Sequence, residues 1–249
     1  MAEALGKIKE QLESLDWEQR LQKMEEYRQD ERAGVKKLLE KYERAWNDYH
    51  EEIRRTQKMY EFESKNRQYT YICGVDEVGR GPVAGPVMAG AVILPVDHEI
   101  LYLNDSKKLT KKKREEMYEL LKKEVISFGI GETSSEQIDE KGIAWSVFEA
   151  MRQAIGKLSV TPDLILVDAF RIPDITIPQI NIIKGDAKSA SIAAASIMAK
   201  VTRDRLMEEY DEKYPGYEFG KHAGYGTKAH MDAIQKHGMC PIHRKTFIH

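Results

Sequence analysis

The chain has 249 residues, 41% hydrophobic and 8% aromatic, enough for one large domain or a medium domain with an appendage, and enough apolar surface for a packed core. A formal net charge of −2 excludes bulk basicity as a route to nucleic acid, so any such binding must come from a local patch. The apolar runs are short and the N-terminus reads MAEALGKIKE, which excludes a spanning or targeting segment and predicts a cytoplasmic protein without membrane contact.

Residues 1–68 are dense in both charge signs, nearly free of Gly and free of Pro, and read as a helical arm. Leu5, Ile8, Leu12 and Leu15 recur at helical spacing, and Ser14 to Asp16 offer N-caps for a second helix carrying Trp17, Leu21 and Met24. After Gly34, the residues Val35, Leu39, Tyr42, Trp46, Tyr49, Ile53, Thr56 and Tyr60 alternate steps of four and three, a heptad seam that needs a partner surface. The arm reads first as a hairpin or coiled coil that packs on itself, on the main domain or on a second copy. The alternative is an arm that grips a long substrate through Arg54, Arg55, Lys58, Lys65 and Arg67, against which the interleaved acids count.

From Tyr69 to the C-terminus strand-like and helix-like segments take over. Strands are predicted at 71–76, 87–94, 125–133, 164–168 and 179–183, and helices at 111–123, 143–158, 189–213 and 228–236. Three strands in meander order followed by strand–helix alternation predict an α/β domain, a mixed sheet covered by helices, with an all-helical N-terminal extension. Cys73 and Cys240 stand far apart outside any CxxC spacing and read as buried small hydrophobes.

The stretch GVDEVGRGPVAGP, Gly74 to Pro86, delivers Asp76 and Glu77 from an apolar strand into a Gly- and Pro-rich segment. Alternation sends neighbouring side chains to opposite faces, so both acids serve one site only if the strand breaks there, which Gly79 and Gly81 permit. Leu164 to Val167 end in Asp168, and the strand from Ile180 leads to Asp186, so four acids stand at the exits of three strands. If those strands adjoin, the acids converge. Four like charges in one pocket call for neutralisation, and an all-oxygen set suits a pair of Mg²⁺ or Mn²⁺ ions rather than zinc. Each Asp taken singly is equally readable as a turn residue or helix cap.

Weaker signals surround these acids. GRGPVAGP lacks the GK[ST] ending of a nucleotide-triphosphate loop. Ser106 and Lys107 in NDSKKL could meet phosphate, with Thr110 capping the next helix, and a Lys/Arg run at 107–114 and a basic tail around His243, Arg244 and Lys245 are candidate patches or plain solvated surface. The small residues of Ile192 to Asp204 suit close packing on a sheet, with Lys200 and Arg203 able to face the site. Tyr225, between Gly224 and Gly226, is either a stacking platform or a packed tyrosine, and His222, His230, His237 and His243 have no zinc-ligand spacing.

The motifs GVDEVGRGPVAGP, NDSKKL, LVDA, KGDAKSASIAAASIMAKVTRD and HAGYGT, in this order over roughly 180 residues from Tyr69, resemble bacterial ribonuclease HII, a type 2 ribonuclease H. The resemblance implies a ribonuclease H-like fold at 69–249, cleavage of RNA in RNA/DNA hybrids, and incision on the 5′ side of single ribonucleotides in duplex DNA, leaving 3′-hydroxyl and 5′-phosphate ends. It places the family's metal-binding acids on Asp76, Glu77, Asp168 and Asp186, and its ribonucleotide-contacting GRG element on Gly79, Arg80 and Gly81. Its junction-sensing tyrosine falls on Tyr225, and Lys107 matches a phosphate-holding position. Ribonuclease HIII and junction resolvases are rival readings within the superfamily, and a scaffold protein using its heptad arm is the rival from another class. The resemblance names no protein partner and leaves the arm's role open.

Overall fold

The computed structural model describes residues 3–96 and 99–248, and the chain divides into two compact units, residues 1–55 and 56–249. The first unit holds α1 (Leu5–Glu13), α2 (Trp17–Glu26) and most of α3 (Ala33–Met59), which continues past its boundary. Asp16 caps α2 by accepting the Gln19 amide, as the sequence predicts. Ile8, Leu12, Met24, Val35, Leu39 and Tyr42 form a small core of their own, whereas Leu5 of the expected α1 stripe is exposed. Of the heptad seam within this unit, Trp46, Tyr49 and Ile53 are only half-buried.

The second unit begins with the end of α3 and the short α4 (Glu61–Lys65), so residues 56–68 pack with the sheet domain although their composition matches the arm. Its sheet runs in the order β3 (Ser127–Thr133), β2 (Val87–Ile93), β1 (Ile72–Val78), β4 (Leu164–Asp168), β5 (Gln179–Ile182). The first three strands are antiparallel neighbours, and β4 and β5 join β1 in parallel, the mixed sheet that the order of elements predicts.

One face of the sheet is covered by α8 (Ala190–Lys213) with α5 (Lys111–Glu124), the other by α7 (Ile143–Gly156) with α6 (Ser135–Lys141). The chain closes with α9 (Phe219–His222) and α10 (Lys228–His237). The helix α6 was readable from its Ser134–Gln137 capping box but is absent from the sequence prediction. Alternation along β2 divides the layers: Val92 faces the α8 side, while Ala91 and Ile93 face α7.

Glycine sets how closely the helices lie on the sheet. A Cβ on Gly74 would stand 2.0 Å from the Ser191 carbonyl carbon, and one on Gly90 would stand 2.4 Å from the Ala195 oxygen. Gly129 and Gly131 do the same beneath α7, against Ala154 and Ala150. The small residues of α8 are thus packed where the sequence expects them. Among the described residues no helix is long and apolar enough to cross a membrane.

These contacts predict that Gly74→Ala lowers unfolding stability by about 1–3 kcal/mol through overpacking. Gly156→Ala, at a helical position with open space around it, should be neutral or raise stability by up to about 0.5–1 kcal/mol. Urea-denaturation midpoints of the two variants check both.

Candidate active site

The adjacency that the acids require is present: β1, β4 and β5 are consecutive neighbours, so the exits carrying Asp76, Glu77, Asp168 and Asp186 lie side by side. Val75 pairs with Val167, which puts Asp76 next to Asp168. Asp168 accepts the Gly185 amide at 2.7 Å, and this bond draws the loop after β5 inward. Lys184 takes a left-handed conformation (φ 58°), after which the turn Gly185–Ala187 presents Asp186.

The expected break at the acid pair is displaced. Pairing with β2 continues through Val78, with Asp76 opposite Gly90 and Glu77 opposite Ala89, and the left-handed turn falls at Gly79 (φ 88°). The two carboxylates therefore leave on different faces. Asp76 is 6% exposed and accepts the Ser196 hydroxyl of α8, whereas Glu77 opens on the α7 side into a cavity of about 210 Å³ shared with Arg80, Phe148, Met151 and Asp168.

The acids repel one another across this short span. Burial, then the charge of Glu77, holds the Asp76 carboxyl well above its ordinary 3.8. Burial followed by Asp168 raises Glu77, and burial followed by Asp105 and Asp168 raises Asp186. Arg80 lowers Glu77, and Lys107, whose mostly exposed side chain brings Nζ to 3.9 Å from Asp186, acts on Asp186 and Glu77; although desolvation opposes it, Asp186 and Asp105 hold the ammonium charged. Ser106, expected at phosphate, is placed differently. It is buried, its hydroxyl lies 3.0 Å from that of Ser196, and it supports the group that bonds Asp76.

The GRG element and Tyr225 form one ledge beside the acids. Val83 and Ala84 amides both donate to the Gly224 carbonyl, and a Cβ on Gly81 would stand 3.8 Å from the Tyr225 ring. Tyr225 is 49% exposed and Arg80 is exposed.

Two buried arginines hold this ledge from below. Arg203 donates to the carbonyls of Pro86, Ala84 and Ala223, and Arg244 to those of Gly85, Arg80 and Gly79. Arg203 thus faces the loop backbone rather than the site's opening, and Lys200 pairs with Asp204. The expected basic tail is not a surface patch, since His243 and Arg244 are buried. Desolvation pushes the guanidinium of Arg203 down to about 10 and that of Arg244 to about 9, so both still carry charge at neutral pH.

Two further residues escaped the sequence reading. Glu63 accepts from the Ser189 and Ser191 hydroxyls (2.7 Å each) and from the Ser191 amide (3.0 Å), capping α8 just beyond Asp186; nothing local in its sequence signals this. Phe170, 61% exposed beside Asp168, follows Ala169 at φ 58° and donates its amide to the Asp168 carbonyl at 2.7 Å. That γ-turn is a strained conformation of the kind that accumulates at functional sites.

The four acids share their surroundings with Arg80, Asp105 and Lys107, and among the described residues no three His, Cys, Asp or Glu side chains form a ready-made ion cage. The donor set is all oxygen and carries buried negative charge that needs neutralising, which fits hard divalent cations and not zinc.

A mixed five-stranded sheet with carboxylates at the exits of its adjoining strands defines a ribonuclease H-like protein. Residues 73–249 match the family model described as ribonuclease HII, and residues 5–67 match that of the ribonuclease HII N-terminal domain. Ribonuclease HII of Lachnoclostridium phytofermentans is 56% identical over 224 residues, 90% of this chain and 88% of its own length. The Clostridioides difficile ribonuclease HII is 47% identical over 247 residues, 98% and 97% of the two chains. The crystal structure of ribonuclease H2 from Pyrococcus horikoshii superposes with a TM-score of 0.60 at 29% identity, over 71% of this chain and 93% of that one. The chain belongs to the ribonuclease HII family.

The raised carboxyl values give a sign for pH dependence. An unfolded Asp76 ionises near its ordinary 3.8 and the folded one only well above it, so stability is fully present below that value and is lost as pH rises through the folded pKa. In chelator, Asp76→Asn should therefore unfold at a higher temperature than wild type at neutral pH, the difference closing toward about pH 4. Calorimetric scans across that range check it.

Proposed function

We propose that the chain is a divalent-metal-dependent endoribonuclease that cleaves the RNA strand of RNA/DNA hybrids. It also incises on the 5′ side of a single ribonucleotide in duplex DNA, leaving 3′-hydroxyl and 5′-phosphate ends. The observation that carries this is the convergence of Asp76, Glu77, Asp168 and Asp186 at three adjoining strand ends beside the Gly79–Gly81 and Tyr225 ledge. We assign the chemistry to residues 69–249 and an ancillary role to the arm, residues 1–68.

Asp76, Glu77, Asp168 and Asp186 would hold two Mg²⁺ or Mn²⁺ ions, which when bound supply an activated water and charge stabilisation for an in-line displacement at phosphorus. The chain's own residues supply position. Ser196, itself bonded to Ser106, aims the Asp76 carboxylate, and the Gly185 amide fixes that of Asp168. Lys107, an exposed ammonium paired with Asp186 at the opening, meets the backbone phosphate.

Backbone of Gly79, Arg80 and Gly81 approaches the ribose, whose 2′-hydroxyl is the group that separates RNA from DNA. The Gly79 and Arg80 carbonyls are already committed to Arg244, so the ledge presents a fixed surface rather than one organised on binding. Tyr225 packs on the sugar of the deoxynucleotide that follows, sensing the junction. Because the acids must be ionised to work and are held above their ordinary values, activity should fall on the acid side of the profile.

A duplex with one ribonucleotide, end-labelled and incubated with Mg²⁺, Mn²⁺ or chelator, should be cut only with metal and only on the 5′ side of the ribonucleotide. Cleavage of a continuous hybrid alone would point to ribonuclease HIII-like behaviour, and no cleavage of either to a binding protein. Asp76→Asn should reduce kcat by about 10²–10³-fold or more with substrate affinity largely kept. Tyr225→Ala should lose more on the single ribonucleotide than on the hybrid; equal losses would leave Tyr225 a packing residue.

A further inference from the structure

Three of the four histidines with no zinc-ligand spacing in the sequence, His222, His230 and His243, meet in space behind Tyr225. The rings of His222 and His230 stack at 4.4 Å, and His230 and His243 touch through their Nε2 atoms at 3.0 Å, both fully or nearly fully buried. The Cys240 amide lies 2.8 Å from His243 Nδ1, and His230 Nδ1 lies 2.9 Å from the Tyr225 carbonyl oxygen.

His243 Nδ1 also lies 3.2 Å from the Cys240 carbonyl oxygen, farther than the amide, and the shorter contacts set one arrangement of protons. A main-chain N–H can only donate, so His243 Nδ1 accepts and its ring proton sits on Nε2. A carbonyl can only accept, so His230 carries its proton on Nδ1 and leaves Nε2 bare. The Nε2–H of His243 therefore donates to the bare Nε2 of His230, and every polar atom in the row is satisfied with both rings neutral. A second proton on either ring would set two N–H groups head to head or leave the Cys240 amide facing another donor. Desolvation acts the same way, pushing His230 down to about 4 and His243 below its ordinary value.

What this row holds is the turn that carries Tyr225. Ala223 and Gly224 are both left-handed (φ 51° and 83°), and the Tyr225 ring is half-exposed. The Tyr225 carbonyl also accepts the Thr227 amide at 2.8 Å, which closes the turn locally; His230 ties that turn to the buried interior.

We propose that His230 and His243 are positioning residues, a tautomer-locked relay from the Cys240 amide to the Tyr225 carbonyl that fixes how the Tyr225 ring is presented at the site. The proposal rests on the reading of Tyr225 as a substrate contact. The relay does not touch the acids, so it governs discrimination at the junction more than the rate of cleavage itself.

Two measurements on the full chain test it. Nitrogen chemical shifts of labelled histidine should give the Nδ1–H tautomer for His230 and the Nε2–H tautomer for His243, unchanged from about pH 8 to about pH 5.5. The opposite tautomers, or titration of either ring in that range, would overturn the relay. In cleavage assays His230→Ala should cut incision at a single ribonucleotide by about five- to tenfold relative to a continuous hybrid, the scale of one lost buried hydrogen bond. His230→Asn, whose amide can donate to the same carbonyl, should restore most of that ratio. Loss shared equally between substrates, or no difference between the Ala and Asn variants, would overturn the positioning role. Wild-type protein that has the relay tautomers but cuts neither substrate would overturn the functional reading and the positioning role with it, leaving the relay standing as structure.

Discussion

Close contact between α8 and the sheet is the constraint on which the rest of the second unit depends. With glycine at positions 74 and 90 the helix backbone lies directly on β1 and β2, and three consequences follow along its length. Its first turn meets Glu63 through Ser189 and Ser191. Its second turn brings Ser196 to Asp76 and Ser106. Further on, Arg203 passes under the loop from Ala84 to Pro86. A helix held a Cβ further away would reach none of these with the same side chains. Packing of uncharged small residues thus decides where the charged ones act.

The acid cluster works against the fold that builds it. Burial and mutual repulsion raise Asp76, Glu77 and Asp186, so holding them ionised at neutral pH lowers stability, while Lys107 offsets part of this at Asp186 and Glu77 and Arg80 at Glu77. The framework tolerates this because the acids sit at strand ends, beyond the apolar clusters that cover each face of the sheet. The arginines below the ledge show the opposite solution. Arg203 and Arg244 are buried cations with no carboxylate at ion-pair distance among the described residues, and each is satisfied by three carbonyls of the irregular backbone that they hold in place. A glycine-rich loop with few side chains of its own needs such external fastening.

Legibility followed the range of the interaction that sets each feature. The five strands and the helices over α5, α7, α8 and α10 were readable because period and caps are local, Thr110 before α5 being one example. The acids were readable because each stands in or just after an apolar strand. Residues such as Glu63 and Arg244 were misread or missed because their partners lie more than a hundred residues away, and a buried arginine in sequence looks the same as one on a basic surface. The α6 helix is different: its capping box was present and went unused.

The sequence by itself determined the elements, the mixed character of the sheet and the four acids, since these rest on periodicity and on which residue types end an apolar run. Only the tertiary structure decided that β1, β4 and β5 are neighbours, that Asp76 and Glu77 leave on opposite faces with the turn delayed to Gly79, and that Ser106 faces inward. The same holds for the three histidines, whose spacing of eight and thirteen residues carries no ligand pattern and which meet only when α9, α10 and the C-terminal segment fold together. Strand order, register and burial are properties of non-local contacts. No local pattern in the chain encodes them.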